Sequence, residues 1–297
     1  NAPATFPLGN TTVTWTVEDG SGNIKTATQL VTVTDNINPT ISCPSNITTN
    51  VTSACIASVA TPNPTTADNC SVTKLTWALT GATTANSSTS GVNYVGTRNF
   101  NLGTTTITYN AYDAAGNNDS CSYTVTVIDN VNPFITCTSN QVLNVDTGLC
   151  TKNYNTPNPA KSDNCVVDKM TWALTGATIG SSPATGINNL GLQTFNLGTT
   201  TVTYTVYDAA GNSATCSYDV TINDTTLPTI TAPAATTGTT NLGCTSTNVV
   251  LGTPTTADNC SVASVTNNAP AVFPLGNTTV TWTVEDGSGN IKTATQL

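Results

Sequence analysis

The 297-residue chain predicts an all-β protein, a linear array of tandem β-sandwich repeats. Three observations predict it. Long stretches recur at fixed offsets, apolar residues alternate with Thr, Asn and Ser, and ten cysteines occur without a histidine. Alternation at a period of two marks half-buried strands. Paired cysteines without histidine or a C-x-x-C pair point to structural disulfides in an oxidising compartment rather than to zinc or thioredoxin-type chemistry.

The repeats define the organisation. Residues 1–30 return at 268–297 with Val272 in place of Thr5, an offset of 267. Inside that period, the junctions Asp35-Asn-Ile-Asn-Pro39, Asp129-Asn-Val-Asn-Pro133 and Asp224-Thr-Thr-Leu-Pro228 divide the chain into 1–35, 36–129, 130–224 and 225–297. The two middle segments are complete units, each with four cysteines, a P-N-P segment, an S/A-D-N-C turn, L-T-G-A-T and N-L-G-T-T-T. Segment 225–297 is a shorter type that stops at its last strand, and 1–35 matches its second half. Half a sandwich cannot bury a core, so the native polypeptide is expected to be longer.

Within a unit, Ile107, Tyr109, Ala111 and Tyr123, Val125, Val127 alternate with polar residues, and no helical pattern competes. Asp-Ala-Ala-Gly-Asn at 113–117 and 208–212 and Asp-Gly-Ser-Gly-Asn at 19–23 and 286–290 supply the left-handed conformations of tight turns. Short strands with proline at each junction read as β-sandwiches joined by stiff connections. From the D-N-C cysteine to the Leu-Gly signal the long repeats run 33 residues (Cys70 to Gly103) and the short one 16 (Cys260 to Gly276). The 17 extra residues, around 81–100 and 176–195, read as an added hairpin projecting sideways, a candidate surface for ligand or lateral contacts.

Composition narrows the function. Seven Lys and Arg against sixteen Asp and Glu give a net charge of −9, which repels nucleic acid. Charged residues make up only 8%, unlike a disordered chain. No apolar run reaches the ~18–20 residues of a membrane span, and Asn1 opens no targeting segment, so targeting information is expected outside this sequence. Without histidine there is no Ser-His-Asp or Cys-His system, and the expectation is a non-enzyme.

Phe273-Pro-Leu-Gly276, Thr279-Val-Thr-Trp282, Asp286-x-x-Gly-Asn290, the Cys121 strand Cys-Ser-Tyr-Thr-Val-Thr-Val and Pro39-Thr-Ile-Ser-Cys-Pro44 resemble the hyalin repeat, or HYR domain. That resemblance covers essentially the whole chain. It implies an immunoglobulin-like fold and extracellular adhesion. Such modules recur in giant bacterial surface proteins, including adhesins of gliding Bacteroidetes, whose Thr- and Asn-rich, histidine-free composition is similar.

All ten cysteines, Cys43, Cys55, Cys70, Cys121, Cys137, Cys150, Cys165, Cys216, Cys244 and Cys260, are expected in disulfides. In the short repeat Ala232 and Ala294 replace the first and last cysteines while Cys244 and Cys260 persist. Joint loss pairs Cys43 with Cys121 and Cys137 with Cys216; joint persistence pairs Cys55 with Cys70 and Cys150 with Cys165. In the loop-entropy model a crosslink closing about 80 residues stabilises by roughly 4–5 kcal/mol.

Repeated acids are the other candidates. Asp68, Asp163 and Asp258 precede Asn-Cys, Asp113, Asp208 and Asp286 open turns, and Asp35, Asp129 and Asp224 sit at junctions. Turn formation is their default role. Calcium, which takes six to eight oxygens, is the alternative, with Asp35, Asp129, Asp224, Asp113 and Asp208 as its ligands and no other cofactor implied. Trp77, Trp172, Trp15 and Trp282 are read as core rather than sugar platforms.

The leading expectation is therefore an extracellular, cell-surface filament or stalk, each sandwich adding ~30–40 Å. Its partners are neighbouring repeats, lateral filament contacts and surface glycans or other cells. A carbohydrate-binding module array attached to a secreted enzyme is the alternative, and it requires a row of solvent-facing aromatics.

Overall fold

In the computed structural model, which describes residues 2–52 and 54–297, the regular elements are all β. Two compact units divide the chain, residues 1–130 and 131–297.

The first unit opens with a hairpin of Gly9–Glu18 and Ile24–Val33, paired from Gly9↔Val33 to Glu18↔Ile24. Its turn is closed by Asp19, whose Oδ1 accepts the N–H groups of Ser21 (3.0 Å) and Asn23 (2.9 Å). A sandwich follows. One face is a five-stranded sheet in the order Ile47–Asn50, Asn118–Ile128, Gly103–Asp113, Val72–Gly81, Ala85–Asn86, antiparallel except where Ile47–Asn50 runs parallel to its neighbour. The other face pairs Thr40–Ser42 with Thr65–Ala67 and Ile56–Ala60 with Thr97–Asn101. Period-two alternation turns Ile107, Tyr109, Ala111, Val125 and Val127 inward, where they are buried against Leu75, Trp77 and Phe100.

The second unit repeats this plan. Gln141–Asn144, Ser213–Asn223, Gly198–Asp208, Val167–Gly176 and Gly180–Ser181 form its five-stranded sheet, with Met170, Phe195, Val202, Tyr204 and Val220 in the core. The short repeat then builds a three-stranded sheet from Val262–Asn267, Val280–Asp286 and Ile291–Gln296 over Val280, Trp282 and Val284. The L-T-G-A-T motif marks a close approach in both long repeats. Gly81 and Gly176 hold φ of +98°, and a Cβ there would collide with the carbonyl oxygens of Thr104 and Thr199.

The 17-residue insertion is not a projecting hairpin. Thr97–Asn101 completes the second face of the sandwich and carries Phe100 into the core. The N–H of Val95 donates to the buried Tyr109 hydroxyl at 3.0 Å, as Leu190 does to Tyr204 at 3.2 Å. Asn93 Nδ2 ties the intervening loop down by donating to the carbonyls of Leu75 (3.1 Å) and Ser90 (2.9 Å). Burial of two apolar anchors, Val95 and Phe100, outweighs the polar composition of the segment.

Cys43 is bonded to Cys121 and Cys137 to Cys216, each with a Cα–Cα distance of 5.6 Å, and these bridges pack against the two cores. The middle cysteines depart from the expected pairing. Cys150 is bonded to Cys260 (Cα–Cα 4.8 Å), not to Cys165, while Cys70 and Cys244 are free thiols; Cys55 and Cys165 are both oxidised. Opposite placement within a repeat is the reason. The loop before Cys150 sits at the end of its repeat, where the N–H of Val145 donates to Asn223 O at 3.0 Å. The D-N-C turn sits at the start, beside the junction Asp, as Asn259 Nδ2 to Asp224 Oδ1 (3.4 Å) shows. Cys150 and Cys260 therefore face each other from neighbouring repeats, and neither faces the middle cysteine of its own repeat.

Candidate metal centre at the repeat junctions

At the start of the short repeat the chain gathers Asp224 and Asp258 with their ligand atoms, and the Cys260 sulfur, within 4.8 Å of one another. Folding of the D-N-C turn explains half of each carboxylate. Asp258 Oδ2 accepts the N–H groups of Cys260 (2.8 Å) and Ser261 (3.0 Å), and Asp224 Oδ1 accepts that of Thr226 (2.9 Å). The other oxygens, Asp224 Oδ2 and Asp258 Oδ1, are buried with no hydrogen-bond partner among the described residues, as is Asn259 Oδ1 in the same turn. Asp224 is only 6% exposed. Buried acceptor-only oxygens close together cost several kcal/mol unless a positive charge or a donor meets them. Lys152–Asp146 is the ion pair among the described residues, and neither of its members belongs to this cluster.

The first unit holds the same arrangement, with one atom each from Asp35, Asp68 and Asp113 within 4.8 Å of one another. Asp68 Oδ2 accepts from Cys70 (2.9 Å) and Ser71 (2.8 Å), leaving its buried Oδ1 without a partner. The N–H of Ile37, then the Cys70 thiol, hold the Asp35 carboxyl below its ordinary value. Asp113 is used by its own turn: Oδ1 accepts Gly116 N–H (2.7 Å) and Asn117 N–H (2.8 Å), and Oδ2 accepts Asn117 Nδ2 (2.7 Å).

Of the acids singled out for calcium, Asp35 and Asp113 are thus brought together, and Asp224 joins Asp258. Asp208 is committed to its turn, its oxygens accepting Asn212 N–H (2.8 Å) and Nδ2 (2.7 Å). Asp129 is buried. Asp68 and Asp258, read from sequence as turn formers only, are the additions. Their signal was the D-N-C turn recurring 33 or 34 residues after each junction Asp. The sulfur of Cys260 is in a disulfide, so oxygen is the donor type that remains, and an all-oxygen set suits a hard cation such as calcium.

Trp77 and Trp282 are buried, so the aromatic row that a sugar platform requires is not built from them. No helix of the described residues is long and apolar enough to cross a membrane.

The fold defines a tandem array of immunoglobulin-like β-sandwiches, the last two of which are joined by the Cys150–Cys260 disulfide. The chain belongs to the HYR domain family, whose domain matches residues 34–127, 128–222 and 223–296. Hyalin of Strongylocentrotus purpuratus is 31% identical over 299 residues, which is 96% of this chain and 22% of that protein. Hyalin of Lytechinus variegatus is 31% identical over 304 residues, covering 98% of this chain and 52% of that one. Extracellular cadherin domains 1–5 of protocadherin gamma B2 overlay 97% of this chain and 72% of theirs at 10% identity, with a TM-score of 0.33.

Proposed function

We propose that this chain is a load-bearing stretch of an extracellular adhesive array, and that calcium stiffens its junctions. The Cys150–Cys260 bridge, which joins one repeat covalently to the next, carries the reading. A crosslink between neighbours adds little to the core of either repeat but stops them parting under tension. Disulfides and the absence of histidine support an extracellular, non-enzymatic role. A bacterial cell-surface adhesin, including one used in gliding, is the finer form of this reading and rests on composition alone. Adhesion to glycans or cells belongs to the same proposal.

Stretching single molecules tests it. In a chain whose other oxidised cysteines are serine, the bridge shields the 110-residue separation between its cysteines, so reduction should add about 360–400 Å to the extended length. An unchanged length on reduction overturns the mechanical reading. For the junctions, terbium luminescence and thermal melts of chelator-treated chain should show binding that Asp258→Asn and Asp224→Asn each weaken tenfold or more. Equal binding in both variants removes the calcium site.

A further inference from the structure

The two free thiols, Cys70 and Cys244, occupy the two halves of the bridge that Cys150 and Cys260 complete. Cys244 stands 16 residues after Pro228, where Cys150 stands 17 after Pro133, and Cys70 is the D-N-C cysteine, as Cys260 is. Thr236 N–H donates to Leu297 O at 3.1 Å, so the segment leading to Cys244 runs beside the last strand of its repeat, as Gln141↔Val220 does in the repeat before. Asn259 Nδ2 makes three contacts, to Leu149 O (3.0 Å) across the junction, Asp224 Oδ1 (3.4 Å) and Cys260 Sγ (3.4 Å). Asn69 repeats the two local ones, to Asp35 Oδ1 (3.3 Å) and Cys70 Sγ (3.4 Å).

We infer that Cys244 is the half-bridge for Cys70 of a following repeat, so that a disulfide of the Cys150–Cys260 kind also spans the junction between successive 267-residue periods. The order of repeats on this chain supplies the partner: residues 1–35, the second half of a short repeat, lead directly into the repeat that carries Cys70. Spacing agrees. The observed bridge has a separation of 110. One period on, Cys70 would follow Cys244 by 93 residues, shorter by the same 17 that the short repeat lacks. Formation consumes two thiols. A thiolate of one attacks an external disulfide, of the glutathione or oxidoreductase type, and expels its thiolate. The second protein thiolate then displaces the other half. Two protons and two electrons leave the protein, and the oxidant ends as two thiols.

The connectivity deepens the load-bearing reading but is read by mass, so it stands or fails whatever the stretching experiment gives. The test uses the 297-residue chain continued by a second copy of residues 31–130 and refolded with oxidised and reduced glutathione. Unreduced peptide mapping should find Cys244 joined to the second-copy Cys70, with the first-copy Cys70 alkylated as a thiol. Cys244→Ser in that chain should expose one further maleimide-reactive thiol, at the second-copy Cys70. The Cys150–Cys260 peptide in the same digest reports folding. If that peptide is present while Cys244 is a thiol, or is joined to any other cysteine, the inference is overturned.

Discussion

Residues 1–30 and 268–297 differ at one position, yet Trp15 is 55% exposed and Trp282 only 6%. The hairpins themselves are alike. Val13 faces Gln29 and Trp15 faces Ala27, just as Val280 faces Gln296 and Trp282 faces Ala294. In both, the indole N–H donates to the glutamine Oε1 at 3.0 Å. What differs is residues 225–267, which give Trp282 a facing layer and offer Gln296 Nε2 the carbonyls of Ala234 (2.9 Å) and Leu251 (2.7 Å). Register is local, set by the Asp-Gly-Ser-Gly-Asn turn, while burial is tertiary.

The largest effect should come from erasing the difference. A copy of residues 225–267 placed ahead of residue 1 gives the first hairpin the layer that the second has. Burying Trp15 and Val17, as Trp282 and Val284 are buried, is worth about 1.5–3 kcal/mol for each side chain. Acrylamide quenching of Trp15, read in a chain whose other tryptophans are phenylalanine, should fall to the level of Trp282; unchanged quenching would mean that the exposed hairpin is a separate fold rather than an incomplete one.

Truncation should then separate the two sites. Trp282→Ala removes a buried ring and is expected to cost about 3–5 kcal/mol, whereas Trp15→Ala should stay within about 1 kcal/mol. Urea unfolding followed by hydrogen exchange of 280–296 and 9–33 resolves them. Similar costs for both would show that the isolated hairpin is packed in solution. A smaller contrast follows for glutamine. Gln296→Ala orphans the buried indole N–H and two carbonyls and should cost about 1–3 kcal/mol, against a few tenths for Gln29→Ala, measured the same way.

The same divide between local and tertiary explains what could be read from sequence. Strands, turns and the core positions Tyr109, Tyr204, Val125 and Val220 follow from alternation within ten residues. Cys43–Cys121 and Cys137–Cys216 follow because both partners vanish together from the short repeat. The middle cysteines mislead for a definite reason. Residues that persist in every repeat do so equally when they bond each other and when each bonds a neighbour, and a one-repeat shift leaves no trace in composition. Asp258 misleads in a similar way: the turn accounts for Oδ2 at once, and only the folded junction shows that Oδ1 is left over. In the insertion, Phe100 and Val95 are single apolar residues among Ser, Thr and Asn, too sparse to reveal a strand without the opposing sheet.

The subtlest contrast lies in acid. At Asp19 the Asn23 side chain, then the N–H groups of Asn23 and Ser21, lower the carboxyl below its ordinary value. At Asp286 burial pushes the carboxyl up, but the Asn290 side chain and the N–H groups of Asn290, Ser288 and Gly289 together outweigh it, and the net direction is again down. A folded-state value below the unfolded one means that the carboxylate stabilises the fold at pH above the unfolded value of about 3.9, and that this contribution is lost as pH falls through the folded value. Both turns should therefore loosen only below about pH 4. Carboxyl carbon NMR titration should place both midpoints under that of an unfolded peptide, and Asp19→Asn and Asp286→Asn should flatten the acid limb of their own turn. The consequences diverge beyond the turn. Protonating Asp286, which is 2% exposed, should loosen Val280–Asp286 and the Trp282 environment with it, whereas protonating Asp19 should leave Trp15 fluorescence unchanged, since that ring already faces water. A Trp282 response that begins above pH 5 would assign the transition to some other group.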